Sequence, residues 1–276
     1  MTLHSKSCES YESNLSRLSG AVLRFTLLGS GSAGNCLVIN SGASTVLVDC
    51  GLSFQETKRR LFARDIGLTD IDAILVTHEH GDHCGGVFTL ANKMGLPIWC
   101  TTGTSRATSA IEQSNSVNEI IGFEKFEVGA LKIVPYPVPH DALEPSQFTL
   151  SDSQFKLGVL TDAGAVTAHM FDNLHDCDAL VLEFNHDEDL LLNSSYPAHL
   201  KKRIAGGFGH LSNKVAKDFL KKLINPKLKF VLAAHLSETN NSENLVRGLL
   251  SEILDEREIA YAIANQHDGS DWIEIS

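Results

Sequence analysis

The chain has 276 residues, of which 43% are apolar and 21% charged, and these values are typical of a globular protein. Its net charge of −11 argues against a protein whose whole surface grips nucleic acid, although it leaves room for a local basic groove. No apolar run has the length needed to span a bilayer, and no signal peptide is visible. The six cysteines form no CxxC pair, so we expect reduced thiols in a cytoplasmic protein.

The first half of the chain contains apolar runs that predict strands. Two of these runs flank a glycine-rich turn at 29–34, which predicts two strands joined by a tight loop. A third buried strand ends at Asp49. Ser53 and Glu56 have the spacing of a capping box, which predicts a helix that continues to about residue 63. The next strand, within 71–86, leads directly into a histidine-rich loop.

The second half alternates between strand-like and helical patterns. We predict further strands at 97–102, 131–141, 155–164, 179–187 and 229–236. One helix should follow Ser212, with an apolar side made of Val215, Phe219, Leu220 and Leu223. A second helix should cover 242–255, with an apolar side made of Leu245, Val246, Leu249, Leu250, Ile253 and Leu254.

The order of these elements indicates the fold class and the domain organisation. Hairpin-type strands come first and strands that alternate with helices follow, in two similar halves, which predicts an α/β fold with sheets packed face to face and helices outside. Residues 1–21 are polar, Ser-rich and aperiodic, so we interpret them as a loose N-terminal extension. No low-complexity linker divides the remainder, and we assign 22–276 to one domain.

A cluster of histidines at 77–83 points to function. His78 and His80 are two residues apart, so on an extended chain they face the same side and can share one metal ion. Asp82 and His83 follow a glycine turn and can face a neighbouring position. Imidazole nitrogens and carboxylate oxygens suit zinc, manganese or iron. A solvated polar loop is the alternative, but this many ligand-type side chains at the end of an apolar strand favour a metal site.

The HxHxDH pattern of this loop resembles the signature of the metallo-β-lactamase superfamily. Four further positions that the superfamily requires have matching residues in the right order, each just beyond an apolar run: Asp49, His140, Asp162 and His235. Any one of them alone could be a turn cap, a loop residue or a buried, satisfied histidine, but their combination argues against chance. The resemblance covers about 23–270. It implies a four-layer αββα sandwich, with two mixed sheets and helices outside.

Carried over residue by residue, the resemblance implies two divalent ions, zinc or manganese with iron as a further option. The first ion would have three imidazole ligands, from His78, His80 and His140. The second ion would have a mixed set, from Asp82, His83 and His235. Asp162 would bridge both ions, and Asp49 would support the histidine loop from behind. Since this set is complete without thiolates, we interpret Cys50 and Cys84 as packing residues.

Such a site implies hydrolysis by a metal-bridged hydroxide, with no serine or cysteine nucleophile. Asp82 or Asp162 would orient the attacking water and accept its proton. The antibiotic-hydrolysing zinc lactamases commonly have Cys where this chain has Asp162. The aspartate is more similar to the glyoxalase and phosphodiesterase or nuclease branches of the superfamily.

Several stretches are similar to the YycJ/WalJ-type subfamily, whose members are bacterial proteins related to exonucleases. These stretches are GSGSAGNC (29–36), VPHDALEPSQF (138–148), LEFNHD (182–187), GHLSN (209–213) and AHLSETNN (234–241). The resemblance implies metal-dependent, 5′-to-3′ exonuclease-like action on DNA. It also implies that His186 and His210 lie near the site in contact with phosphate, and we count His210 as catalytic. The alternatives are a polar residue that ends a strand, for His186, and a loop residue before a helix cap, for His210.

Basic residues near the last of these motifs fit a nucleic-acid substrate. Lys201, Lys202 and Arg203 precede it, and four lysines lie on the helix that follows. Phosphate contacts would come from these groups and from backbone N–H groups near Ser212 and Asn213. A solvated helix face is an equally good interpretation of the lysines.

The sequence leaves three functions open. The first is a two-metal phosphodiesterase acting on DNA or nucleotides, and the second is a hydrolase of a small thioester, lactone or cyclic phosphate. A strand-wide channel beside 201–203 would favour the first, and a closed apolar pocket the second. The third is a non-enzymatic module with a structural metal, against which the carboxylate-rich ligand set argues, since structural zinc sites usually have four Cys and His ligands.

Overall fold

The computed structural model describes residues 22–42, 44–114 and 116–276. The predicted N-terminal extension at 1–21 lies outside the described residues. Seven strands belong to a first sheet: β1 (Leu23–Gly29), β2 (Cys36–Ser41), β3 (Ser44–Val48), β4 (Ala73–Leu75), β5 (Ile98–Thr101), β6 (Val117–Ile120) and, from the end of the chain, β14 (Ile273–Ile275). Seven belong to a second sheet: β7 (Phe126–Val128), β8 (Leu131–Pro137), β9 (Ser146–Ser151), β10 (Lys156–Leu160), β11 (Ala179–Glu183), β12 (Phe230–Ala234) and β13 (Ala260–Ile263).

Helices connect and cover these strands. Those of the first half are α1 (Phe54–Phe62), α2 (Gly81–Cys84), α3 (Val87–Met94), α4 (Thr102–Ala107) and α5 (Ala110–Gln113). Those of the second half are α6 (Ala168–Leu174), α7 (Glu188–Asn193), α8 (Ala198–Ile204), α9 (Asn213–Leu223) and α10 (Glu243–Leu254). None of the helices in the described part of the chain combines the length and apolar character needed to cross a membrane.

Both sheets are mixed, as the sequence predicts. The first has the order β14-β1-β2-β3-β4-β5-β6, with antiparallel pairing up to β3 and parallel pairing from β3 to β6. The second has the order β13-β12-β11-β10-β9-β8-β7, with parallel pairing from β10 to β13 and antiparallel pairing elsewhere. Each sheet therefore contains four neighbouring strands whose carboxyl ends lie at one edge.

Three apolar clusters make this a four-layer αββα sandwich. The central cluster contains Val46 and Val48 of β3 together with Val181 of β11, so it lies between the sheets. Leu47 belongs to a second cluster with α1 and α3, and Leu180 belongs to a third with α6, α9 and α10. Because successive side chains of these strands are buried on opposite faces, their sequences are uninterrupted apolar runs.

The predicted faces of the two long helices need one correction each. In α9 the buried apolar positions are Ala216, Phe219, Leu220 and Leu223. In α10 they are Val246, Leu250, Ile253 and Leu254, and the predicted Leu249 is half-buried. Val215 and Leu245, which the sequence places on the apolar sides, are exposed. The buried sets follow the i, i+3, i+4, i+7 or i, i+4, i+7, i+8 spacing of one helix face. Each exposed residue precedes that face by one position, a rotation of about 100°.

The helix predicted after Ser53 begins at α1, although only half of the capping box is present. The Ser53 hydroxyl accepts a hydrogen bond from Glu56 N (3.3 Å). The Glu56 carboxylate bonds to Arg59 and Arg60 instead of turning back to the cap. Those two ion pairs lower the pKa of Glu56 to about 2.

The central cluster should dominate stability. Phe25 is fully buried between the sheets, and its ring packs edge to face on that of Phe230, with centroids 6.4 Å apart. We expect Phe25→Ala to lower the free energy of unfolding by about 3–5 kcal/mol, because it leaves a cavity in a packed core. Phe62→Ala removes the same atoms from a residue that is 81% exposed and should change stability by less than about 0.5 kcal/mol. Urea unfolding checks both variants, and an equal effect would contradict the assignment of this core.

Candidate metal centre

The predicted ligand residues lie at one edge of the two sheets. Asp49 follows β3, the loop at 77–83 follows β4, and His140, Asp162 and His235 follow β8, β10 and β12. These strands present their carboxyl ends at that edge, so loops that are distant in sequence meet between the sheets. Clefts at the carboxyl ends of strands are where α/β folds place their ligands.

Three imidazoles converge in a first group. His78 Nε2 lies 3.0 Å from His80 Nδ1, which lies 3.3 Å from His140 Nε2. Nitrogens that share a tetrahedral zinc at ~2.0–2.1 Å lie ~3.3 Å apart, so this spacing suits one ion. The Gly209 carbonyl accepts a hydrogen bond from His140 Nδ1 (2.9 Å). Because a carbonyl only accepts, that nitrogen holds the proton and Nε2 keeps a lone pair for the site.

Asp82, His83 and His235 form a second group, with Asp162 between the two groups. Asp82 Oδ2 lies 3.5 Å from His83 Nε2 and 3.8 Å from His235 Nε2. Asp162 Oδ2 lies 3.2 Å from His83 Nε2, while its Oδ1 lies 3.6 Å from His235 Nε2 and 4.0 Å from His140 Nε2. The structure thus brings all seven predicted ligand residues together in the predicted arrangement, with Asp162 facing both groups.

Buried atoms without partners test whether these residues fit metal ions. Asp162 Oδ2 and His235 Nε2 are both buried, and neither makes a hydrogen bond with the described residues, although Asp162 Oδ2 lies 3.2 Å from His83 Nε2. An unsatisfied buried polar atom costs about 1–3 kcal/mol, so such atoms are rare unless something binds them. Both atoms face the centre and both are metal-ligand types. The residues therefore fit divalent ions, as in carboxylate-histidine sites.

Burial and neighbouring charges shift the pKa values of the buried histidines in opposite directions in the two groups. Burial lowers the pKa values of His78 and His140, which keeps these imidazoles neutral and able to bind a metal. Burial also disfavours charge on His83, but Asp162 and Asp49 outweigh it and raise the pKa of His83 to about 9. Asp162 remains ionised despite its burial, because His235 and other imidazoles lower its pKa. The carboxylates thus favour positive charge at the second group, and a bound metal ion that displaces the imidazole protons would supply that charge.

Asp49 supports the histidine loop, in the position that the sequence predicts for it. Its Oδ1 accepts a hydrogen bond from Thr77 N (2.8 Å), and its Oδ2 accepts from Thr77 Oγ1 (2.8 Å) and His83 Nδ1 (2.8 Å). The last bond fixes the tautomer of His83 and leaves its Nε2 for the site. Asp49 has a φ of 62°, which an aspartate tolerates better than most side chains.

Glu183, at the end of β11, is a site residue that the sequence analysis did not single out. It is fully buried, and its Oε1 lies 2.8 Å from His210 Nδ1 and 3.4 Å from His235 Nδ1. Its Oε2 accepts hydrogen bonds from Ala163 N and Leu211 N, each 3.1 Å long. The available signal was a carboxylate that ends an otherwise apolar run, in LEFNHD.

The glycine-rich turn after β1 contributes a second such residue, Asn35. Its Nδ2 lies 3.0 Å from His83 Nε2 and 3.3 Å from Asp82 Oδ2, while its Oδ1 accepts a hydrogen bond from Gly31 N (2.7 Å). In the same turn, Ser30 Oγ accepts a hydrogen bond from His235 N (2.7 Å). The GSGSAGNC motif therefore packs directly against the second ligand group.

His210 and His186 have different positions relative to the centre. The His210 ring lies 5.2 Å from the rings of both His140 and His235, and its Nδ1 is 3.4 Å from Asp162 Oδ1. His186 is buried, belongs to neither ligand group, and lies with its Nδ1 3.2 Å from Asn185 Oδ1. A role for His186 in phosphate contact stays a prediction.

Ser212 and Asn213 already have partners within the protein. Ser212 Oγ caps α9 by accepting from Val215 N (3.3 Å) and lies 2.9 Å from Glu188 Oε1. Asn213 exchanges two side-chain hydrogen bonds of 2.9 Å with Asn241, and its N–H donates to the His186 carbonyl. These bonds tie α9 to neighbouring loops, so phosphate binding by these two residues also stays a prediction.

Of the remaining predicted groups, Arg203 and two cysteines lie beside the centre. Arg203 of α8 donates from Nε to Asp141 Oδ2 (2.5 Å), next to the first ligand group. Among the described residues, the clusters of ligand-type side chains contain no cysteine. Cys84 Sγ donates to the Glu79 carbonyl (3.1 Å), and Cys50 is buried in the cluster beneath α1.

The hydrogen bonds of Asp49 generate a test of the metal site. We expect Asp49→Asn, which tolerates the same backbone conformation, to weaken metal retention about 10- to 100-fold, because an amide oxygen cannot replace both carboxylate acceptors. Asp172→Asn, on the exposed side of α6, is the matched control and should leave retention unchanged. Metal release to a chromogenic chelator measures both. Unchanged metal retention in Asp49→Asn would show that Asp49 does not support the metal site.

Comparisons with known proteins agree with this geometry. A family model described as a beta-lactamase superfamily domain matches residues 44–231. The Bacillus anthracis protein named exodeoxyribonuclease YycJ is 33% identical over 238 residues, covering 85% of this chain and 90% of that protein. Exodeoxyribonuclease WalJ of Streptococcus pneumoniae serotype 2 is 34% identical over 232 residues, covering 80% and 84% respectively.

Solved structures share the fold at low sequence identity. The metallo-beta-lactamase fold protein YhfI from Bacillus subtilis matches with a TM-score of 0.71 and 16% identity, covering 92% of this chain and all of that one (100%). This likeness confirms the four-layer sandwich. The chain therefore belongs to the metallo-β-lactamase superfamily, as a metal-dependent hydrolase related to the YycJ and WalJ proteins.

Proposed function

We propose that the protein is a two-metal phosphodiesterase that shortens DNA from an end. The observation that carries this proposal is the pair of ligand groups that share Asp162, whose buried Oδ2 makes no hydrogen bond with the described residues. The names of the YycJ and WalJ relatives support DNA as the substrate. A cytoplasmic location, where DNA is accessible, is part of the same proposal.

The two ligand groups would hold the ions, and the second group contains the residue best placed to take a proton. Bound divalent ions would supply Lewis acidity and an activated water nucleophile. Asp162 is fully enclosed, whereas the Asp82 side chain is 24% exposed. Asp82 is therefore the carboxylate that an incoming water can reach, and it would orient that water and accept its proton. Asn35 Nδ2, 3.3 Å from Asp82 Oδ2, fixes the orientation of this carboxylate.

His210 and Glu183 would protonate the leaving group. Glu183 is buried, and its Oε1 lies 2.8 Å from His210 Nδ1, which donates a hydrogen bond to it. This bond directs the other ring nitrogen, Nε2, away from the carboxylate, on a side chain that is partly exposed at the centre. His210 can then donate the Nε2 proton to the oxygen that leaves when the phosphodiester bond breaks, while Glu183 stabilises the imidazolium form.

Replacing the shared carboxylate tests the proposal directly. Asp162→Ala should reduce hydrolysis of 5′-labelled DNA and of bis-p-nitrophenyl phosphate at least about 10³-fold, because both ligand groups lose a common member. The metal is first stripped, and Mn²⁺ or Zn²⁺ is then restored. Asp172→Ala on α6 is the control and should retain activity.

The outcomes of this experiment separate the candidate functions. Metal-dependent shortening of DNA that is lost in Asp162→Ala establishes the nuclease and begins to set its polarity. Cleavage of the small diester alone indicates a small natural substrate. Full activity of Asp162→Ala on either substrate would overturn the site assignment.

The proposed proton donor gives a prediction that depends on the leaving group. His210→Ala should slow DNA cleavage about 10²- to 10⁴-fold, because an alkoxide needs a proton as it leaves. Hydrolysis of bis-p-nitrophenyl phosphate should fall much less, since p-nitrophenolate leaves without one. His169→Ala replaces an exposed histidine of α6 and controls for general effects of the substitution. Equal losses on both substrates would show that His210 does not protonate the leaving group.

A further inference from the structure

An exposed aromatic side chain lies beside the centre and has no part in the mechanism above. Phe208 is 65% exposed, although the two residues that follow it are both tied to the site. The Gly209 carbonyl bonds to His140, and His210 bonds to Glu183. The backbone that carries the Phe208 ring is therefore fixed at the rim of the first ligand group.

The loop around Phe208 is held by close backbone packing. A Cβ atom at Gly164, two residues beyond Asp162, would lie 2.4 Å from the backbone nitrogens of Phe208 and Gly209, so this approach requires glycine. Gly209 N also donates to the Gly206 carbonyl (2.8 Å). A single exposed apolar residue is common on protein surfaces and by itself indicates no binding site. Here the backbone position is set by the same residues that build the site, and an aromatic side chain with only two torsions loses little entropy on binding a ligand.

Arg203 places a positive charge on the same rim. Its Nε donates to Asp141 Oδ2, and Asp141 Oδ1 lies 3.4 Å from His140 Nε2 and 3.8 Å from His80 Nε2. The side chain is 57% exposed, and its two Nη nitrogens make no hydrogen bond to any residue that the structure describes. Arg203 thus offers two further donor nitrogens to solvent, and the Asp141 carboxylate links it to the metal ligands. This arrangement suits a phosphate oxygen.

We propose that Phe208 and Arg203 bind the nucleotide next to the scissile phosphodiester, with its base stacked on the Phe208 ring and its phosphate on the Arg203 guanidinium. The inference rests on the proposed nuclease function and defines its substrate class as an unpaired DNA strand, because duplex stacking covers the base faces. Every base has a π-face, so the contact tolerates any sequence. An acyl group of a small ester could cover Phe208, but it would leave the Arg203 donors unused.

Abasic nucleotides provide the sharpest test. Single-stranded oligonucleotides are made with normal bases, or with abasic residues at the two terminal positions of the labelled end. Phe208→Ala should lower kcat/KM roughly 5- to 150-fold on the normal strand and have no effect on the abasic strand. The unaltered enzyme should lose a similar factor when the bases are removed. Phe208→Trp should restore cleavage of the normal strand, and Phe62→Ala, on the exposed face of α1, should behave as the unaltered enzyme.

The arginine contact is measured through its salt dependence. Arg203→Ala should weaken binding of normal and abasic strands equally and reduce the slope of log affinity against log salt by about one. Arg203→Lys should recover the slope, because it restores the charge. Arg247→Ala, on the exposed face of α10, is the matched control and should leave the slope unchanged.

These outcomes distinguish failure of the inference from failure of the function. An enzyme that shortens DNA normally after Phe208→Ala, or that loses the same factor on normal and abasic strands, overturns the stacking contact while the nuclease stands. An unchanged salt slope in Arg203→Ala overturns the phosphate contact. If the unaltered enzyme shortens no DNA with any metal, both proposals are overturned together.

Discussion

The buried carboxylate of Asp162 is the constraint on which the rest of the site depends. It lies between two ligand groups. Burial opposes its charge, but the imidazoles of His235 and His83 nevertheless lower its pKa. A buried carboxylate with an unpartnered oxygen is expensive unless a positive charge compensates it. Metal ions supply that charge in this superfamily. Four loops must therefore end within a few ångströms of one oxygen pair, and the two sheets provide the common edge at which they meet.

Two residues at the site have strained backbone conformations that contacts with neighbouring residues maintain. Asp49 and His235, at the ends of β3 and β12, both have left-handed backbone, with φ of 62° and 57°. Such conformations persist only where neighbouring contacts determine them. Thr77 and His83 bond to the Asp49 carboxylate, and Ser30 accepts a hydrogen bond from His235 N. The glycine-rich turn and the histidine loop thus hold these two backbone positions, and they also contact each other through Asn35 and Asp82.

The sequence predicts the strands and the histidine loop from local signals, because runs buried on both faces are continuously apolar and the loop concentrates ligand-type side chains beyond such a run. Each of Asp49, His140, Asp162 and His235 has a simple alternative when taken alone, so the full ligand set and the four-layer sandwich follow from the resemblance to the superfamily. Glu183 has only a weak signal, a single carboxylate that ends an apolar run, and Asn35 is a single polar residue in a turn. Their roles are set by tertiary packing, since their partners are distant in sequence. The exposure of Val215 and Leu245 could not be predicted for a similar reason. Each is an apolar residue next to the buried face of its helix, and only the packing of the helix decides whether it is covered. The position of Phe208 likewise depends on tertiary packing, because its backbone lies against Gly164.

The most direct measurement of the central claim is anomalous diffraction from crystals grown with Mn²⁺ or Zn²⁺. The account predicts two anomalous peaks, one among His78, His80 and His140 and the other among Asp82, His83 and His235, with Asp162 in contact with both. A single peak, or two peaks of which one lies away from Asp162, would contradict the shared-carboxylate centre.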